Sequence, residues 1–270
     1  MKKLLLLTCL LPLFAFAQGW YPGGGRSMSM ANASVALTDE WSFFNNPGAL
    51  GAQDKFSAGL SYENRFLLKE LQSQNAVAVV PLKVGVISVG GHHYGYRNFR
   101  SYKAGLGYSM QLSDRLFAGV QMNYQGIILS ENYGSDGGVT AEAGVYAKIT
   151  EKWTMGVAVF NIGRAKLADY GDDRFSTIMR LGTAYKFSDK VLVSIEVDKD
   201  VEYPVRFKTG VDYQLADMFS LRGGFATGRV EGTFGFGLNF EVLSIDLGSS
   251  YDQILGWSPN FSISYHGKKK

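Results

Sequence analysis

From Lys55 to the C-terminus, apolar residues recur at every second position in segments of about ten residues, and the positions between them carry charges, amides or glycine. A period of two is the strand period, in which alternate side chains point to opposite faces. The segment 205–215 shows it most clearly: Val205, Phe207, Thr209, Val211, Tyr213 and Leu215 fall on one face, and Arg206, Lys208, Gly210, Asp212 and Gln214 on the other. Segment 178–187 repeats the sorting, with Met179, Leu181, Tyr185 and Phe187 opposite Arg180, Gly182, Ala184 and Lys186. In 191–198, Val191, Val193, Ile195 and Val197 oppose Ser194, Glu196 and Asp198, and in 102–112 Tyr102, Ala104, Leu106, Tyr108, Met110 and Leu112 oppose Lys103, Gly105, Gly107, Ser109 and Gln111. A midplane Lys or Arg facing lipid costs about 2–4 kcal/mol, so the charged face must look into a lumen and the apolar face outward.

Fourteen such segments can be counted, and chain length favours that number. The 216 residues from 55 to 270 hold fourteen strands of about 11 residues with about 60 left for connections, whereas sixteen leave almost no loops. Connections alternate between tight (81–83, 113–114, 150–152, 188–190, 216–218, 241–243) and longer (65–73, 91–100, 130–138, 163–176, 199–204, 227–231, 251–260). Bacterial barrels place short turns on the periplasmic side and longer loops outside, which puts both chain ends in the periplasm. Tyr62, Tyr94, Tyr96, Phe99, Tyr124, Trp153, Phe187, Phe219, Tyr251 and Trp257 sit near strand ends, where interfacial girdles form. The fold class expected is all-β: a 14-stranded antiparallel transmembrane β-barrel spanning 55–266, followed by a basic periplasmic tail, 267–270.

The chain begins with Lys2 and Lys3, an apolar run from Leu4 to Phe16 and a small-residue site at Ala15-Phe16-Ala17. That is the layout of a cleaved signal peptide, 1–17, and implies export. Cys9 is the only cysteine, so the exported chain has no disulfide or thiolate chemistry. Without Lys2 and Lys3 the chain carries 25 basic and 24 acidic residues, and this balance offers nothing to nucleic acid or another polyanion. Its 33 glycines, 15 tyrosines and 18 phenylalanines, with a mean hydropathy of -0.03, suit a wall whose lipid contact is hidden in alternate residues.

Residues 18–54 break the pattern. Gly23 to Leu50 reads as a glycine turn, a short small-residue helix and an aromatic knot ending at a proline. Met28, Met30, Val35, Leu37, Trp41, Phe43 and Phe44 need somewhere to be buried, and a place inside the barrel, as a hatch in the lumen, supplies it. Asn45-Asn46-Pro47-Gly48 is a turn signal, since asparagine side chains bond the nearby backbone and Pro47 fixes φ.

The order Gly25-Arg26-Ser27, Met30-Ala31-Asn32-Ala33, Val35-Ala36-Leu37, an acidic pair and Asn46-Pro47 with Ala49-Leu50 resembles the N-terminal segment of the FadL-like outer-membrane proteins. In style it is similar to the short PorV/PorQ-type members found alongside type IX secretion. About a tenth of the chain carries this likeness. The resemblance implies residence in the bacterial outer membrane, in contact with its lipid, and a ligand path near the hatch residues Met28, Met30, Trp41, Phe43, Phe44, Asn45, Asn46 and Pro47. Where those proteins have Asn-Pro-Ala, this chain has Gly48 before Ala49.

Chemistry-bearing patterns are sparse. His92 and His93 are expected in an outer loop, as solvated residues and without the ligand spacing of a metal site. Ser101 near His93 lacks a nucleophile-elbow pattern, and the glycine run 232–237 is interleaved with Phe234 and Phe236, a strand and not a phosphate loop. No enzyme activity, metal or cofactor is therefore expected. The inward charges, Lys103, Arg115, Lys148, Arg180, Lys186, Arg206 and Lys208 against Glu142, Glu196, Asp198 and Asp212, are mixed in sign, which suits salt bridges holding the hatch better than an ion-selective ring. Gly105, Gly107, Gly119, Gly144, Gly156 and Gly182 leave room for it. Three functions are in view: passage of a small hydrophobic ligand across the outer membrane, a PorV/PorQ-like barrel that docks secreted proteins or other secretion-system partners, and a structural barrel with no traffic through it.

Overall fold

The structure, a computed structural model, describes residues 22–130, 134–167, 173–228 and 231–268. The signal peptide and its cleavage site lie outside these. Fourteen strands follow in chain order: β1 Ser57–Asn64, β2 Gln72–Leu82, β3 Gly85–Tyr96, β4 Phe99–Ser113, β5 Leu116–Leu129, β6 Ser135–Lys148, β7 Trp153–Phe160, β8 Ile178–Lys186, β9 Val191–Asp200, β10 Arg206–Ala216, β11 Phe219–Ala226, β12 Glu231–Asn239, β13 Leu243–Asp252 and β14 Gly256–His266. Each pairs antiparallel with its neighbours in sequence, and β1 pairs with β14, so the sheet is a closed barrel with no free edge.

Alternation sorts the side chains as the sequence predicts. Leu106, Met179, Leu181, Ile195, Phe207 and Phe234 stand exposed on the outer wall, while Lys103, Arg180, Glu196 and Lys208 are buried on the inner one. An outer surface of this composition is stable only against hydrocarbon, which makes the wall membrane-spanning.

Two expectations about connections are corrected. β3 runs on to Tyr96 and β4 begins at Phe99, so only Arg97 and Asn98 link them; β13 and β14 are likewise joined by residues 253–255 alone. His92 and His93 are therefore strand residues and not solvated loop residues. The cause is the strand pairing Tyr96↔Phe99 beside a positive-φ Gly95 (106°), a conformation that glycine adopts without strain. Tyr94 also departs from the girdle, because it points inward and is buried under Arg65.

The leading segment occupies the lumen. It forms α1 (Gly25–Ser29), α2 (Ser42–Asn45) and a 3-10 turn at Pro47–Ala52, all far shorter than an independently stable helix. Its shape comes from the wall. Inward Val77, Val79 and Val86 of β2 and β3 make an apolar sector that receives Trp41, Phe43, Phe44 and Leu50. Elsewhere glycines let the two backbones meet: a Cβ on Gly182 would lie 2.6 Å from Val35 Cγ1, and one on Gly210 would lie 2.6 Å from Met30 Cβ. Gly119, Gly144 and Gly156 face the segment in the same way. Gly105 and Gly107 instead admit the barrel's own Asn123 and Ser88.

Candidate functional site: the hatch and the lumen around it

The hatch is tied to almost every side of the wall. Arg180 on β8 donates to the backbone carbonyls of Asn32 (2.8 Å) and Asn45 (2.9 Å) and to Glu196 Oε1 on β9 (2.7 Å). The other oxygen of Glu196 accepts from the backbone N–H of Ser34 (2.9 Å) and Val35 (2.8 Å). Lys208 on β10 completes the group, bonded to Glu196 at 3.3 Å and to Asp198. A buried ion pair is stable only when its remaining donors and acceptors are met, and here the backbone of the hatch meets them.

Hydroxyls complete the ring. Ser109 donates to Pro47 O (2.6 Å), Ser194 to Ala33 O (2.6 Å), Thr154 to Ala36 O (3.0 Å) and Thr233 to Ser29 O (2.8 Å), while Ser264 accepts from the Trp41 indole (3.1 Å). Asn46 does three things at once. Its Oδ1 accepts from Gly48 N (3.0 Å) and caps the 3-10 turn opened by Pro47, and its Nδ2 donates to Val35 O within the hatch (2.7 Å) and to Val145 O on the wall (3.1 Å).

The hatch residues named from sequence are brought together, and they fill space. Met30, Phe43, Phe44 and Asn46 are completely buried, and Met28, Trp41, Asn45 and Pro47 nearly so. Phe43 meets Phe44 edge-on at 4.9 Å, and Trp41 stacks on Phe44 at 6.4 Å. Met30 packs with Ala36, Leu37 and Ala184. Of these side chains, Trp41 reaches a cleft on the inner side of the hatch.

On the inner, turn-bearing side of the hatch lies a cleft of about 510 Å³, lined among others by Arg26, Asp39, Glu40, Asp212, Arg222 and Asp246. Arg26 bridges Asp212 (2.9 Å) and Asp39 (3.5 Å). Arg222 joins Asp212 (3.3 Å) to Asp246, and Ser262 links Asp246 to Gly25 N. Burial opposes the charge of Arg26, but Asp212 and Asp39 outweigh it and hold its pKa above the ordinary value. Burial, with the charge of Asp39 beside it, pushes Glu40 up to about 7.

Arg26, Arg222 and Asp246 were missed as site residues from sequence. The last two share the inward parity of their strands, so alternation alone could have found them. On the outer side of the hatch, Lys103 pairs with Glu142, and the Phe160 ring lies 5.9 Å from Lys103 Nζ and 6.0 Å from the Arg180 guanidinium. Of the other charges named from sequence, Lys186 lines the cleft, Lys148 covers Phe117 (5.0 Å), Arg115 bonds Ile149 O (3.3 Å) and Arg206 faces Glu231 (3.7 Å). His92 points inward and bonds Ser73 at 2.8 Å. The register pairs Ser101 with Tyr94 and His93 with Tyr102, so Ser101, which is buried on the inner wall, and His93 face opposite ways and form no dyad.

A closed fourteen-stranded wall, apolar outside and enclosing its own leading segment, is the architecture of a hatch-bearing membrane barrel. Its fold is that of the FadL-type outer-membrane barrels. The Ralstonia pickettii toluene transporter TbuX superimposes with a TM-score of 0.68 at 14% identity, over 94% of this chain and 99% of that one. A Pseudomonas aeruginosa FadL homologue does so at 0.68 and 14%, over 94% and 100%, and the Pseudomonas putida toluene transporter TodX at 0.64 and 14%, over 93% and 99%. No protein-family model and no curated protein matches the sequence.

Proposed function

We propose that this protein is a non-enzymatic conduit of the outer membrane for small, predominantly apolar molecules, closed in the state described by its own hatch. The observation that carries the reading is the hatch itself: a segment made of short pieces, held by hydrogen bonds from one wall strand after another, in a barrel whose fold neighbours are channels and transporters. A plug held by many separate weak ties can be displaced in part without unfolding the wall, as a conduit requires. The strand pairing is unbroken through β2, β3 and β4, which favours a path through the lumen over one through that part of the wall.

Mass spectrometry of an organic extract of the detergent-purified protein tests the reading. A stoichiometric small apolar molecule supports it. An empty lumen together with co-purified secretion-system proteins overturns it in favour of the docking role.

A further inference from the structure

On the outer side of the hatch, the inner faces of β5 and β6 carry three polar atoms that are buried and unpartnered among the described residues: Gln121 Oε1, Asn123 Nδ2 and Thr140 Oγ1. The three residues are at most 2% exposed. They form one cluster. Gln121 Nε2 donates to Asn123 Oδ1 at 2.7 Å and to Glu142 Oε2 at 3.4 Å, and the register sets Asn123 directly opposite Thr140 and Gln121 opposite Glu142. Cross-strand partners on one face lie about 4.5–5.5 Å apart, within the span of one small functional group.

Their position is fixed by the glycines beside them. Gly119 on β5 touches Pro47 and Gly144 on β6 touches Asn46, so Gln121 and Asn123, and Glu142 and Thr140, stand two and four residues further outward on the same inner face. The amide of Gln121 is turned with Nε2 toward the Glu142 carboxylate, which leaves its oxygen as the unmet acceptor. The cluster thus lacks partners for one acceptor, one amide donor and one hydroxyl. Its only charges, Lys103 and Glu142, already neutralise each other.

Unmet buried hydrogen-bonding groups are costly, and a wall that needed only to hold a plug would do better with apolar side chains. A second feature points the same way. The cleft beyond the hatch is lined by Arg26, Asp39, Asp212, Arg222 and Asp246, so both approaches to the apolar knot are polar.

We infer that the solute carries a neutral hydrogen-bonding head, such as a hydroxyl, on an otherwise apolar body, and that Gln121, Asn123 and Thr140 recognise that head. This rests on the conduit reading and narrows it: a hydroxyl donates to Gln121 Oε1 and accepts from Asn123 Nδ2 or Thr140, whereas a bare hydrocarbon of the same size leaves all three unmet. An ionised head has no unpaired countercharge in the cluster.

Phenol and toluene have nearly the same shape and differ in this one property. Equilibrium dialysis of each against purified protein in micelles, corrected with protein-free micelles, is expected to show phenol retained about tenfold more tightly than toluene, the worth of roughly one good hydrogen bond. Thr140→Val keeps the side-chain shape and is expected to weaken phenol retention several-fold and to narrow its margin over toluene. Asn123→Leu is the second variant, with heat-modifiable migration on gels as the check that the barrel has folded. Equal retention of the two solutes by the wild-type protein, as follows if ordered water alone satisfies the cluster, overturns the inference and leaves the conduit standing; so does phenol retention unchanged in both variants. Retention of neither solute overturns both.

Discussion

Arg180 donates to Glu196 Oε1 at 2.7 Å across neighbouring strands, and through this pair the wall holds the hatch by backbone atoms of Asn32, Ser34, Val35 and Asn45. Removing one partner of a buried pair typically costs about 3–5 kcal/mol. For Arg180→Leu the lower end is expected, because Lys208 remains beside Glu196. Urea unfolding in micelles checks this figure. Arg180→Lys is expected to recover part of the stability but not hatch protection against limited proteolysis, because an ammonium lacks the planar fork that reaches three acceptors at once. Full protection in Arg180→Lys would show that charge alone, and not the fork, holds the hatch.

The close contacts at Gly182 and Gly210 predict a different phenotype. A Cβ on Gly210 meets Met30 alone among its nearest neighbours, and one on Gly182 meets Val35 first, at 2.6 Å, and then the Ile195 carbonyl oxygen on neighbouring β9, at 2.8 Å. Gly182→Val with Gly210→Val is expected to leave a folded barrel whose hatch is displaced, seen as raised conductance in planar bilayers. Gly232→Ala, where the added Cβ has open space, is the control and is expected to leave conductance unchanged. Conductance unaltered by the double variant would mean that the hatch does not close the pore.

Outward parity predicts a third result. Leu106 on β4 is 61% exposed on the outer wall. Leu106→Arg is expected to cost about 2–4 kcal/mol if it lies near mid-depth in lipid. Urea titration of the protein folded into vesicles measures it, and the penalty is expected to shrink in soft micelles, where the charge can reach water. A neutral result in vesicles would remove this part of the wall from the hydrocarbon.

The wall was legible because strand alternation is a local signal: the parity of Lys208 against Phe207 is settled by two adjacent residues. The positions of His92 and His93 were not, since the segment 91–100, with Gly91 and Gly95, reads as loop while tertiary pairing with β4 holds them in a strand. The hatch was legible as a segment that breaks the period, and its aromatic residues as buried. Its anchors were not, because which inward side chain meets which backbone group depends on how far each strand is shifted along the barrel. Arg26 shows the limit most plainly: its partners Asp39 and Asp212 are 13 and 186 residues away in the chain.

Glu40 carries the last prediction. It is 3% exposed beside the cleft, with Asp39, Asp246 and His266 as its ionisable neighbours, His266 Nδ1 lying 3.8 Å away. Burial first, and then the charge of Asp39, pushes its pKa from 4.5 up to about 7. Because the folded pKa lies above the unfolded one, the folded protein binds more protons than the unfolded chain between these values, and stability falls as pH rises through that window. Below about 4.5 both states are protonated and Glu40 costs nothing; above about 7 the full penalty, about 3 kcal/mol, is present. Glu40→Gln is expected to gain that amount at pH 8, nothing at pH 4, and to flatten this part of the pH profile, read as the difference between variant and wild-type urea midpoints. Carboxylates remote from Glu40 titrate alike in both proteins and cancel in the difference; Asp39, whose charge interacts with that of Glu40, does not, and its relief is part of the gain. A variant no more stable than wild type at pH 8 would place the Glu40 carboxylate in contact with water and remove the hatch mouth as a source of pH dependence.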